Sequence, residues 1–435
     1  MHDFHYVGDQ LHCERVPIRS LIEKFGTPLY VYSQHTLTDH FGKLDRALAP
    51  LDHLICYAMK ANSNAAVMRT LANLGSGFDV VSEGELRRVI AAGGDPKKCV
   101  FAGVGKTEDE IEFALRKGIY SFNVESEPEL QRINRVAARQ KRIAPVAVRV
   151  NPNIDAGTHA KITTGTYENK FGVAFEEVDG VYARASKLKN LYLRGVQMHI
   201  GSQLTDVAPF EAAVRKVVPL AKTLSARYGF EFFSLGGGLG IMYKSALESA
   251  DPDWWQSPQA KNILTPARYA ETLVPLLQPL GLRILIEPGR FIVGNAGILV
   301  TRVEYVKQTG RKNFVIVDAA MNDLIRPAFY DSYHEIVPIA RYNGAGNGTI
   351  SSDVVGPICE SGDYFAKDRP LPKVGEGDHL ALLSAGAYGF VMASNYNSRA
   401  MAAEVLVNGK KAALVRPRQN LKDIWAGETV PAWLK

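Results

Sequence analysis

The chain has 435 residues, 46% of them hydrophobic, enough for two domains that each bury a core. Its 51 Lys and Arg are dispersed among 45 Asp and Glu, and the net charge of +6 draws no basic stripe, so nucleic acid is not an expected partner. Cys13, Cys56, Cys99 and Cys359 show no zinc-ligand spacing, and no metal site is expected. So few thiols suit a reducing compartment. The start, Met1 to Tyr6, has no apolar leader, and no stretch reaches membrane-spanning length. The expectation is a cytoplasmic protein without a membrane partner.

In chain order, the first strand-like run is Pro28–Tyr32. Eight apolar, β-branched runs follow: His53–Met59, Gly77–Val81, Cys99–Ala102, Tyr120–Val124, Val146–Val150, Arg194–Ile200, Glu231–Leu235 and Arg283–Ile286. Helix-period stretches lie between them, at Glu83–Ala92, Pro128–Gln140, Pro209–Tyr228 and Pro266–Leu280, with glycine stops at Gly93, Gly229 and Gly281. This rhythm fits a (β/α)8, TIM-type barrel, which needs about 250 residues. A doubly wound open sheet would give the same alternation. After Arg290 the pattern turns to short strands, at Phe291–Val306, Asn313–Asp318, Ser351–Val355, His379–Leu383 and Ala402–Leu414. Turns at Asn343–Gly348 and Asn408-Gly409 punctuate them. The predicted organisation is an α/β barrel over 36–294, with 1–35 and 295–435 forming a β-rich, sandwich- or barrel-like domain.

Barrel enzymes keep their chemistry at the C-terminal strand ends. Here those ends carry Lys60, Asp79 with Ser82, Gly103, Asn123, Arg149 with Asn151, His199 with Ser202, Gly236–Gly238 and Glu287. Lys60 alone reads equally as a surface lysine; at the mouth of a strand, partly desolvated, its amine attacks carbonyls. Leu235–Gly240 is either a tight turn or an anion-binding loop whose backbone N–H groups approach a phosphate. Glu287-Pro288-Gly289-Arg290 adds a carboxylate, a glycine and a guanidinium in four residues. Amine, phosphate donors and a carboxylate together match the needs of pyridoxal phosphate.

Five segments carry a family resemblance: Tyr57–Asn62, Phe78-Asp79-Val80, His199–Gln203, Gly236–Gly240 and Glu287–Arg290. They resemble the barrel-fold pyridoxal phosphate decarboxylases that act on ornithine, arginine, carboxynorspermidine or diaminopimelate. His159–Gly165 with Lys170-Phe171-Gly172, Asn322–Tyr330 with Tyr333-His334, and Gly356–Asp363 are similar to the diaminopimelate branch. Ser245–Lys261, with Trp254-Trp255, matches no motif and reads as a variable insertion.

The resemblance implies roles. Lys60 bonds the cofactor's aldehyde, Glu287 pairs with the ring nitrogen, and His199 stacks on the ring. Ser202, Gly236, Gly237, Gly238, Gly240, Gly289 and Tyr388 serve the phosphate; Asp79, Arg149 and Pro288 are supporting cofactor contacts. Arg290 and Arg326 are candidate carboxylate clamps, since guanidinium offers two parallel donors. Tyr330 lies one helical turn after Arg326, Tyr388 also borders the substrate, and Glu360 takes the far ammonium. Cys359, otherwise readable as an inert buried thiol, is the implied proton donor. The implied activity is a carboxy-lyase converting meso-2,6-diaminopimelate to L-lysine and CO2; the alternative substrates are ornithine, arginine or carboxynorspermidine. A distal ammonium alone would need no arginine pair, which favours the diamino diacid. The resemblance further implies a homodimer, with Cys359 and Glu360 reaching the partner's site.

Overall fold

The computed structural model describes residues 2–154, 170–261, 263–341 and 348–434. The His159–Gly165 motif and most of the Asn343–Gly348 turn lie outside them. The chain divides into two compact units: Leu37–Ile241 with Trp255–Val293, and Met1–Thr36 with Met242–Trp254 and Gly294–Lys435.

The first unit is a closed barrel. Its strands in chain order are His53–Ala58, Gly77–Val80, Cys99–Phe101, Ser121–Val124, Ala144–Asn151, Leu191–Met198, Phe232–Ser234 and Arg283–Ile286. Each pairs in parallel with its chain neighbours, and Arg283–Ile286 pairs back onto His53–Ala58 at Ile284–His53 and Ile286–Ile55. Closure rules out the open-sheet reading. Cys56, Val100, Tyr120, Ala147, Phe232 and Leu285 fill the interior, so the barrel is a packed core and not a pore.

Local sequence sets the crossover helices. Ser82 Oγ accepts the Glu85 N–H at 3.2 Å and caps Glu83–Ala91, which occupies a hydroxyl the strand-end reading had offered to the site. Thr107 and Glu110 form a reciprocal capping box opening Glu108–Lys117. Ser126 caps Glu127–Arg139, and Gly118 and Gly229 end their helices in the left-handed conformation. A register shift between Leu193 and Gly195 disturbs the sixth strand, and the buried Tyr182 hydroxyl repairs it. That hydroxyl donates to Gly195 O at 2.6 Å and accepts the Val148 N–H at 3.0 Å.

The second unit is β-rich. Its long strand Gly297–Gln308 pairs antiparallel with Leu29–Ser33, His379–Leu382 and Asn313–Val317 along successive stretches. Leu29–Ser33 in turn pairs with Ala403–Asn408, which forms a hairpin with Lys411–Arg416 around Asn408-Gly409. Tyr364–Pro372 and the small sheet Phe4–Pro17 were not read from sequence. Phe291–Val293 belongs to a helical turn, Arg290–Val293, and the strand expected there begins only at Gly297. Met242–Trp254 groups with this unit although its place in sequence lies within the barrel, because Ala246 is fully buried in the β-unit's core beside Leu29, Val31 and Ile298.

Candidate active site

Glu287, immediately after the eighth barrel strand, is buried and held by three side chains from three other strands. Asn123 Nδ2 donates to its Oε1 at 3.1 Å, Ser234 Oγ to the same oxygen at 2.7 Å, and Gln197 Nε2 to Oε2 at 3.1 Å. Burial pushes its carboxyl up to about 7, with the charge of Asp79 adding to the rise; the Ser234 bond and the cations Lys60 and Arg149 oppose it. This is a carboxyl fixed in place and poised to be stabilised as an anion by a cationic guest.

Lys60 sits in a short helical turn, Met59–Ala61, after the first strand. Its Nζ donates to Asp79 Oδ2 at 2.5 Å; Asp79 is 1% exposed, while 40% of the Lys60 side chain is exposed. The amine thus stands at the strand mouth, partly desolvated as expected from sequence, and is half of an ion pair that the sequence did not reveal. The other Asp79 oxygen is buried without a hydrogen-bond partner. Burial, followed by the charges of Arg149 and Lys60, pushes the His199 imidazole well below its ordinary value, so the ring is neutral. Its Nδ1 accepts the Gly237 N–H at 3.2 Å. Arg149 is buried, paired with Glu125 at 3.0 Å, and donates to the His199 carbonyl at 3.4 Å.

The glycine run is required by chain packing. A Cβ on Gly237 would stand 2.3 Å from the Glu287 carbonyl oxygen; Gly236, at φ +70°, would meet Met198 O at 2.4 Å. Several N–H groups of the run serve the barrel: Gly236 donates to Ser234 Oγ at 3.2 Å, Gly237 to His199, and Gly240 to Leu204 O at 2.8 Å. Gly289 abuts Ala58 and Ala61, and Arg290, 6% exposed, donates to Ser202 Oγ at 3.2 Å.

The β-unit holds the remaining candidates. Arg326 is 4% exposed and opens the helix Arg326–Tyr330, with Pro327 in its first turn. Its Nε donates to His334 Nε2 at 3.3 Å, and its Nη2 to Ser332 Oγ at 3.1 Å. His334 Nδ1 lies 2.9 Å from Leu383 O and so carries the ring proton, leaving Nε2 as the acceptor. The guanidinium also lies over the rings of Tyr243 and Tyr330, at 5.1 and 6.0 Å. Tyr388 is held at φ +55°, a left-handed conformation uncommon outside glycine. Cys359 and Glu360 are exposed, whereas Cys13, Cys56 and Cys99 are buried and burial raises their thiols. The inert-thiol reading therefore fails for Cys359 alone.

A family model described as pyridoxal-dependent decarboxylase, pyridoxal binding domain, matches residues 34–294. The chain is 49% identical over 430 residues to a diaminopimelate decarboxylase of Vibrio cholerae, covering 98% of this chain and 99% of that one. The chain belongs to the diaminopimelate decarboxylase family. Solved structures agree with this membership. The diaminopimelate decarboxylase of M. jannaschii in complex with L-lysine superposes with a TM-score of 0.90 at 36% identity, covering 100% of both chains. The Helicobacter pylori enzyme complexed with L-lysine gives 0.87 at 41% identity, covering 94% of this chain and 98% of that one.

Members of a pyridoxal-dependent family use pyridoxal phosphate, and the barrel end suits it. An amine, Lys60, and a carboxyl, Glu287, stand at ends of the same closed barrel, and buried acceptors Asp79 Oδ1, Asn123 Oδ1 and Gln197 Oε1 lack hydrogen-bond partners there. Among the described residues no group of His, Cys, Asp and Glu could hold a metal ion. Sequence reading missed Ser234, Gln197 and Glu125. It also missed Lys106, whose buried Nζ donates to Gly103 O at 2.7 Å, Asn123 O at 2.8 Å and Glu129 Oε1 at 2.6 Å. Gln197 was within reach: it lies two residues before His199 in the run Arg194–Ile200 expected as a strand, a spacing that would put both on one face.

Proposed function

We infer that this chain releases CO2 from meso-2,6-diaminopimelate and leaves L-lysine, the last step of lysine biosynthesis. The observation that carries the reading is near full-length similarity to decarboxylases of that name. Bound pyridoxal phosphate would supply the electron sink that makes the C–C bond to the carboxylate labile. Lys60 would hold the cofactor's aldehyde carbon and exchange it for the substrate's α-amine. Glu287, fixed by Asn123, Ser234 and Gln197, would keep the ring nitrogen protonated. Neutral His199 would lie against the ring face, where an uncharged imidazole adds no competing cation. The phosphate would take N–H donors from the Gly236–Gly240 run and from Gly289, with the Ser202, Pro288 and Tyr388 region around them. Because Gly236, Gly237 and Gly240 already donate within the barrel, Gly238 and the start of the Arg290–Val293 turn are the donors we favour.

Arg290, Arg326, Tyr330 and Tyr388 would receive the substrate's carboxylate groups, and Glu360 the far ammonium. The thiol of Cys359 would deliver the proton that takes the place of the departed carboxylate on the α-carbon. Lys60 belongs to the barrel and Cys359 to the β-unit. We favour a homodimer in which each chain lends Cys359 and Glu360 to its partner's Lys60, and a cytoplasmic location. No described helix is long and apolar enough to cross a membrane.

The discriminating experiment compares substrates. The wild type should turn over meso-diaminopimelate and leave ornithine almost untouched. Arg326→Ala should cost roughly 2–5 kcal/mol in kcat/KM for the diacid, since it strands a desolvated carboxylate. Equal rates on ornithine and diaminopimelate, or an unaffected Arg326→Ala, would move the assignment to a basic amino-acid substrate.

A further inference from the structure

The turn that presents Cys359 and Glu360 is braced from two sides. Beneath it lies the buried Asp363, whose Oδ2 accepts the Ile358 N–H and whose Oδ1 accepts the Met321 N–H, both at 2.7 Å. Glu360 N–H donates to Ile358 O at 2.7 Å, and Asp363 N–H to Glu360 O at 3.1 Å, closing a tight loop. Beside it stands a second turn, Tyr396–Ser398, which no motif reading singled out. Tyr396 Oη donates to Glu360 Oε2 at 2.9 Å, and Asn397 Oδ1 accepts the Cys359 N–H at 3.2 Å.

Two features make this more than an incidental surface contact. Asn397 and Ser398 both hold left-handed backbone conformations, at φ +54° and +53°. Asparagine tolerates that region; a serine beside it adds strain that surrounding bonds must hold. Asn395 supplies them: its Nδ2 donates to Arg399 O at 2.8 Å, and its carbonyl accepts the Ser398 N–H at 2.8 Å. Second, among the described residues Glu360 forms no salt bridge, so its exposed carboxylate has a neutral phenol and no cation as its partner. The bond to Glu360 also raises the Tyr396 phenol, which therefore stays a donor at neutral pH.

We propose that Tyr396 and Asn397 are positioning residues: the tyrosine aims Glu360 at the substrate's far ammonium, and the asparagine fixes the backbone from which Cys359 presents its thiol. This rests on the roles given above to Glu360 and Cys359.

The test is steady-state kinetics of the holoenzyme on meso-diaminopimelate, with cofactor affinity and thermal unfolding measured alongside. Tyr396→Phe should raise KM by about tenfold, the scale of a lost hydrogen bond to a charged group, with kcat largely retained. In Glu360→Gln the same change should add nothing, because the phenol acts through that carboxylate. Asn397→Gly, which keeps the left-handed turn but loses the acceptor, should lower kcat several-fold, and Asn397→Asp should restore it. Cofactor affinity and unfolding temperature should stay within error throughout. An unchanged KM in Tyr396→Phe, or effects that multiply in the Glu360→Gln background, would overturn the proposal while leaving the Glu360 role standing. An unchanged KM in Glu360→Gln itself would overturn that role, and the proposal with it.

Discussion

Replacing Glu287 by glutamine isolates the carboxyl on which the barrel end converges. The side chain is 6% exposed, and burial lifts its titration from 4.5 to about 7. The folded chain therefore binds this proton more tightly than the unfolded chain does. Its contribution to stability is fully present below pH 4.5 and is lost as pH rises through 7. A difference of that size corresponds to on the order of 3 kcal/mol in the cofactor-free protein, at about 1.4 kcal/mol per pH unit. Glutamine is nearly isosteric and has no proton to lose. Its amide can be accommodated because Gln197 Oε1 is buried without a partner, so rotating that amide supplies an acceptor. Chemical denaturation of cofactor-free wild type and Glu287→Gln between pH 5 and 8 measures the effect. Wild type should lose stability relative to the variant as pH rises from 5 to about 7, and the difference should level off above that. Asp323, also pushed to about 7 by burial, titrates in both proteins and cancels in the difference. Parallel pH profiles would refute the reasoning, because they would mean that Glu287 ionises freely where it lies.

Two further outcomes follow from the geometry. Lys106→Met should destabilise the barrel by roughly 3–5 kcal/mol, read by urea denaturation, because it leaves Glu129 buried without its cation. Lys60→Ala and Cys359→Ala should each be nearly inactive; when the two are unfolded together and refolded, mixed dimers should recover about a quarter of wild-type activity if sites are shared across a two-fold axis. Failure to recover activity in a sample shown to contain mixed dimers would assign Cys359 to its own chain's site.

The barrel was legible because each strand is a short apolar run between helices with their own caps and stops. Of the polar residues that steady Glu287, Asn123 was read at its strand end, but Gln197 and Ser234 were not, since they are single polar positions inside those runs and meet Glu287 only when the barrel closes. The Lys106–Glu129 pair was hidden for the same reason: on sequence alone both look like ordinary surface charges of neighbouring helical segments. In the β-unit, Tyr364–Pro372 escaped notice because Pro370 and Pro372 argue against a strand, yet an edge strand tolerates them, and this one ends its sheet. Phe291–Val293 misled in the opposite sense, since a short apolar run reads equally as a strand or a helical turn. The glycine run was read as a tight turn or a phosphate cradle; what the sequence could not show is how closely it packs, Gly237 against the eighth strand end at Glu287 and Gly236, Gly238 and Gly240 against the segment 198–204 at the end of the sixth.

The most direct test of the account is to supply meso-diaminopimelate and pyridoxal phosphate to the purified chain and to its Lys60→Ala variant, measuring CO2 and L-lysine together. The wild type should form the two in equal amounts and the variant neither. Lysine formed equally well by the variant, or no lysine from a wild type shown to bind the cofactor, would contradict it.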